Sequence, residues 1–142
     1  MAITSAICNS FKQEILEAEH NFTATTGNTF NLALYTSSAT LGAGTTAYTS
    51  TEEITNTSGS AYSAKGKALT SVTPTLDSST AVCDFADVSW TSASFTANGC
   101  LIFNDSHSTD AAVCAIAFGG DKTVSSGTFT IQFPAAAATT AI

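Results

Sequence analysis

The sequence predicts an all-β protein, a sandwich or barrel with a jelly roll among the candidates, preceded by one N-terminal amphipathic helix. Three observations carry that expectation. Apolar residues alternate with period two after Asn21, turn clusters recur at close spacing, and the polar positions are filled by Ser, Thr and Asn rather than by charge. The chain has 142 residues, enough for one ordinary core, and is read as an arm over 1–20, a sandwich domain over 21–134 and an extended tail over 135–142.

The helix is expected from Ser5 to about His20. Ile7, Cys8, Phe11, Ile15 and Ala18 fall on one face, Ser5 is a candidate cap, and Lys12, Glu14, Glu17 and Glu19 occupy the other. A lone amphipathic helix ahead of a β-domain must cover its apolar stripe, either on the end of its own sandwich or on a neighbouring subunit. Ile7, Phe11 and Ile15 are therefore the candidate interface residues.

Phe30, Leu32 and Leu34 alternate with Asn31, Ala33 and Tyr35, the pattern of a half-buried strand. Residues 37–60 are dense in Thr, Ser and Gly and read as an ordered excursion with one or two short strands, anchored by Tyr48, Ile54 and Tyr62. Strands are then expected over 68–73, 81–85, 88–96, 100–104, 112–118 and 128–133. Asn98-Gly99, between two apolar runs, is the signature of a two-residue hairpin, and Gly119-Gly120-Asp121-Lys122 and Ser125-Ser126-Gly127 mark weaker turns. Pro134 and the threonines around four alanines favour an extended end over a helix.

Charge narrows the function classes. Charged residues make up 11% of the chain, against about 25% in ordinary soluble domains. Four lysines, no arginine and eleven carboxylates give a net charge of −7. That balance argues against nucleic-acid partners and against an anionic membrane surface, since both need clustered cations. No secretory leader is expected at the N-terminus, and Ile7 is too bulky for a lipoprotein site at Cys8. No apolar stretch reaches the roughly 20 residues of a membrane span. The Asn-x-Ser/Thr triplets at Asn21, Asn56 and Asn104 are what a Ser/Thr-rich chain produces by chance.

The residues that could carry chemistry are few. His20 is expected at the surface, at the helix end. His107, with Asp105 and Asp110, forms either a divalent-metal loop or a solvated strand connection, and the second reading is preferred. Asp84 with Asp87, and Glu52 with Glu53, are the carboxylate pairs a glycan hydrolase would need, but strand-ending bonds to turn amides explain Asp84 and Asp87 as well. Trp90 alternates with Val88 and reads as core. Cys8, Cys83, Cys100 and Cys114 lack metal-ligand spacing; Cys100 and Cys114 read as buried thiols, with a bridge between them left open. No phosphate loop is present. The expectation is a non-enzymatic protein without catalytic residues, metal or cofactor.

Several stretches carry a resemblance: Ser10-Phe11-Lys12-Gln13-Glu14-Ile15-Leu16, His20-Asn21-Phe22-Thr23, Leu32-Ala33-Leu34-Tyr35-Thr36-Ser37-Ser38-Ala39, Asp84-Phe85-Ala86-Asp87 and Gly127-Thr128-Phe129-Thr130-Ile131-Gln132-Phe133-Pro134. Together they resemble a family of small virion proteins of tailed bacteriophages that serve as capsid decoration, cement or head-fibre components. The resemblance implies a jelly-roll-like antiparallel β-sandwich, made in the host cytoplasm and placed on the capsid surface. Its partners would be the major capsid protein and sister subunits, in a homotrimer. A fibre or tail module that binds the host cell through a loop such as 37–60 is the alternative.

Overall fold

The computed structural model describes residues 2–55 and 57–139. Asn56 of the second glycosylation triplet and the end of the tail, including Ile142, lie outside the described residues. The chain is all-β, with two antiparallel sheets and one short helix: β1 (Ala6–Ile7), α1 (Asn9–Glu14), β2 (Phe30–Tyr35), β3 (Lys67–Ala68), β4 (Ser71–Asp77), β5 (Thr80–Phe85), β6 (Val88–Asn104) and β7 (Ala111–Ile131). Five strands form a sheet in the order β1-β7-β6-β2-β3, and β4 pairs with β5 in a separate ribbon.

The helix is far shorter than expected. Ala6 and Ile7 pair with Ala115 and Cys114 on the edge of β7, so the chain is extended where a helix was predicted to start. Ser5 does not cap it; its hydroxyl instead accepts a hydrogen bond from the Ala117 amide. At the other end Ala18 adopts φ 63°, which breaks the helical path and turns the chain back toward the sheet.

β2 is buried at every position, not at alternate ones. Phe30, Leu32 and Leu34 enter the larger core with Tyr62, Trp90 and Ile102, while Ala33 and Tyr35 enter a second core with Ile3, Cys8, Leu41 and Phe103. Alternation failed as a guide to exposure here because the other face is itself apolar enough to be covered. The cover is the N-terminal segment and the 36–66 excursion. Ile3 bridges Leu41, and the Thr4 and Asn9 amides donate to the carbonyls of Leu41 and Ala43. Each fully buried Leu or Phe in these cores contributes about 2–3 kcal/mol, so an excursion without regular strands is still held down.

Asn98-Gly99 does not form a hairpin. It lies within β6, which runs unbroken through it, and Gly99 pairs with both Tyr35 and Ala117. The real connection is residues 105–110, opened by Asn104, whose side-chain oxygen accepts the Ser106 amide. The other turn signals are bulges. Ala97 pairs with Lys122 and Gly99 with Ala117, so residues 118–121 stand opposite Asn98 alone, with Gly119 at φ 73° and Gly120 at φ 142°. Ser125 and Ser126 likewise stand opposite Ser94, whose hydroxyl accepts the Ser126 amide. Bulges sharpen local twist and bend the strand that carries them, and two strands of 17 and 21 residues use them to curve around the core.

Gly99 is required for a different reason from the one its sequence context suggests. A Cβ there would lie 2.6 Å from the Ile116 carbonyl oxygen and 2.7 Å from the Ile3 Cδ1. Gly99→Ala is expected to lower unfolding free energy in denaturant titration by about 1–3 kcal/mol. Gly44→Ala, with no atom within 4 Å of the new Cβ, serves as the control and should be neutral or stabilising by less than about 1 kcal/mol.

Candidate functional site

The densest polar cluster sits where the 36–66 excursion meets the 105–110 connection. Its centre is Glu53. The carboxylate accepts hydrogen bonds from the Tyr48 hydroxyl at 2.6 Å, the Tyr62 hydroxyl at 2.6 Å and the Lys65 amide at 2.7 Å. Tyr62 in turn accepts the Leu34 amide at 3.0 Å. The cluster therefore satisfies backbone and hydroxyl groups that the two cores would otherwise bury unpaired. Burial, and next the nearby Glu53 carboxylate, push the Tyr48 phenol up to about 12 and raise Tyr62 further. Burial likewise raises Tyr35, whose hydroxyl donates to the Thr49 carbonyl.

The expected metal candidates are near one another but differently engaged. Asp110 and Asp105 both hold the Lys65 ammonium, at 2.8 and 2.9 Å. These two contacts, Asp110 first, raise the lysine above its ordinary range. The place a cation would take between the two carboxylates is occupied by the chain's own ammonium. His107 is directed elsewhere, with Nδ1 near the Thr109 hydroxyl and Nε2 3.5 Å from Glu19. Among the described residues no group of three or more His, Cys, Asp or Glu is placed to hold a metal.

His20 is buried, not at the surface as its position at a helix end suggested. The reversal at Ala18 carries it inward, where it lies 4.9 Å from the Phe11 ring and stacks on Phe30. Asn104 fixes its tautomer. The Asn104 oxygen accepts the Ser106 amide, so its nitrogen faces His20 Nδ1 at 3.1 Å and donates; Nε2 then carries the hydrogen that reaches Glu14 at 2.9 Å. A histidine with both nitrogens committed to structure is a latch between α1 and β6.

The carboxylate pairs bond backbone amides and side-chain hydroxyls of the chain's own frame. Asp84 accepts the Phe85 amide and Asp87 the Phe133 amide, while Glu52 accepts the Thr36 hydroxyl and Glu53 closes the cluster above. Trp90 is core, 1% exposed. All four cysteines are free, with Cys8, Cys100 and Cys114 buried and Cys83 exposed. Burial pushes the Cys8 thiol up to about 11 and Cys114 to about 12. Sequence reasoning noticed Tyr48, Tyr62 and Glu53 as anchors and contrasts but did not join them. The available signal was the adjacent carboxylates Glu52 and Glu53 ahead of Ile54, in a 37–60 stretch otherwise without charge.

What the polar residues leave free is apolar surface. Of the expected interface residues, Ile7 and Phe11 pack against the chain's own larger core and line a cleft of about 120 Å³ with Phe22, Phe85 and Cys114. Ile15 is 40% exposed, and its neighbour Leu16 is 88% exposed. On the β4–β5 ribbon Val72 is 44% and Leu76 71% exposed. The tail returns across this region: Pro134, Ala135 and Ala136 line the cleft, and the Ala138 amide donates to Asp77. No helix among the described residues is long and apolar enough to cross a membrane. Comparisons with protein-family models, curated proteins and solved structures returned no match.

These ionisations set an alkaline limit. An acid whose pKa is raised on folding keeps its proton longer in the native state, so stability is intact below the unfolded pKa and declines above it. Cys8, Cys114 and Tyr48 all act in this sense, and the raised Lys65 loses its contribution as pH climbs too. The unfolding midpoint in urea is expected to be flat from about pH 7 to 8.5 and to fall steadily toward pH 11. A midpoint constant through pH 11 would contradict the burial of these groups.

Proposed function

We propose that this chain is a non-enzymatic virion structural protein of a tailed bacteriophage, a capsid decoration or cement protein that docks on and stabilises the major capsid lattice. The observation that carries the reading is the division of labour between polar and apolar residues. The candidate catalytic groups, His20, His107, Asp84, Asp87 and Glu53, are engaged in bonds that hold the fold, while apolar side chains stand outward on two hydrogen-bonded elements. Exposed apolar patches on an otherwise polar surface mark contact with another macromolecule. The sequence resemblance to small phage virion proteins supplies the class of partner, and repetition over a symmetric lattice turns a weak contact into stable occupancy.

In this reading the β4–β5 ribbon is the capsid-facing element. A two-stranded ribbon is marginal alone in water, and this one pairs with no other strand among the described residues. The jelly-roll-like description belongs to the same proposal: a jelly roll faces two larger sheets, and a docked partner strand is what would extend the smaller one. The fibre alternative has less support, because it relies on residues 37–60 as a presenting loop, and that loop is tied to β2 by the Ile54 amide on the Leu34 carbonyl and by Glu53 through the Tyr62 hydroxyl that accepts the Leu34 amide.

Cosedimentation with capsids stripped of decoration tests the proposal. Point substitutions are needed, because removing residues 1–20 would take Ile3 and Cys8 from the core. The wild-type chain is expected to bind saturably at fixed stoichiometry, and Leu76→Asp to weaken binding about tenfold or more. No binding by the folded chain would overturn the cement role.

A further inference from the structure

The bend in β7 leaves an apolar groove on the molecule. Ile116, Phe118, Phe129, Ile131, Phe133 and Pro134 line a depression of about 530 Å³, and the five residues from Ile116 to Phe133 among them are only partly buried. Lys122 stands at its rim. It is the one lysine whose side chain has no hydrogen bond or ion pair among the described residues. Lys12 donates to Asn9, Lys65 to its two aspartates and Lys67 to the Ser89 carbonyl. The adjacent Asp121 is engaged by the Asn98 side chain.

The chain also carries a shape that suits this groove. Ile15 and Leu16 project from the turn after α1, fixed by amide bonds to the Phe11 and Gln13 carbonyls. Glu17 follows them, and its carboxylate accepts the Gln13 side-chain amide. The tip is thus two exposed apolar residues with an acid beside them, and the groove is an apolar floor with a free cation beside it. Ile15 borders a different cleft, with Phe11, Pro74 and Val82, which shares no lining residue with the groove.

We propose that the Ile15–Leu16 tip of one copy seats in the β7 groove of a second copy, with Glu17 against Lys122. Charge complementarity selects a second copy as the occupant. At a net charge of −7 two copies repel over most of their surface, so a homotypic contact must place an acid on one of the few cations, and this arrangement does so. Tip and groove are different patches, so the contact is head-to-tail and closes into a ring when the rotation per copy allows. The inference rests on the assembly reading above for its setting and names the contact between sister subunits.

Sedimentation equilibrium of the full chain, without capsids, tests it. The wild type should form a closed oligomer at raised concentration. Leu16→Asp, at a position exposed enough to leave folding intact, should raise the dissociation constant about 10- to 100-fold. Glu17→Lys and Lys122→Glu should each weaken association about threefold, and the two together should restore it. A chain that stays monomeric, or an oligomer indifferent to Leu16→Asp, would overturn the contact. Capsid binding by a monomeric Leu16→Asp variant would leave the cement reading standing, so the two failures are separable.

Discussion

The structure depends on how the second edge of β2 is completed. β6 pairs along the whole of one edge, but β3 reaches only Asn31 and Leu32 on the other. Beyond that point the 36–66 excursion takes over: the Leu34 amide donates to the Tyr62 hydroxyl, the Leu34 carbonyl accepts the Ile54 amide, and the Thr36 amide donates to the Glu52 carbonyl. An unpaired backbone group in a buried strand costs as much as a lost hydrogen bond. Glu53 makes the substitute edge possible, because its carboxylate accepts the hydrogen bond from the Tyr62 hydroxyl and leaves that oxygen's lone pair toward the Leu34 amide. One acid thus links a loop without strands to the most buried strand in the chain.

The same economy explains why so little polar chemistry is left over. A chain with few charged groups spends most of them on its own frame. Lys65 ties the 36–66 excursion to the 105–110 connection through Asp105 and Asp110, His20 latches α1 to β6 through Asn104, and Asp87 anchors the approach to the tail. In the proposed reading, a scaffold whose ionisable groups are committed in this way offers its partner shape and apolar contact.

Much of the fold was legible, and the failures share a cause. Period two located β2, and the aromatic alternation placed Trp90 in the core, because both depend on which way side chains point along a strand. Asp84 and Asp87 bond amides as their strand-end positions implied. Asn98-Gly99 misled because a dipeptide that suits a tight turn also suits a bulge, and only the close approach of Ile3 and Ile116 shows which is meant. The helix was overextended because its apolar spacing continues through Ile7 and Ala18, where pairing with β7 and a left-handed residue overrule it. His20 followed from that error. The Glu53 cluster was not assembled for a related reason: its members are spread over 18 residues, from Tyr48 to Lys65, and distance along the chain says nothing about hydroxyls that meet across a loop.

Amide hydrogen exchange on the wild type and on Glu53→Ala tests the dependence of β2 on its substitute edge most directly. The amides of Leu34, Thr36 and Ile54 should be protected in the wild type to within about tenfold of the other β2 amides, as parts of one cooperative unit. All three should lose protection together in Glu53→Ala. Fast exchange of Ile54 and Thr36 in the wild type beside a fully protected β2, or protection unchanged by Glu53→Ala, would contradict the account.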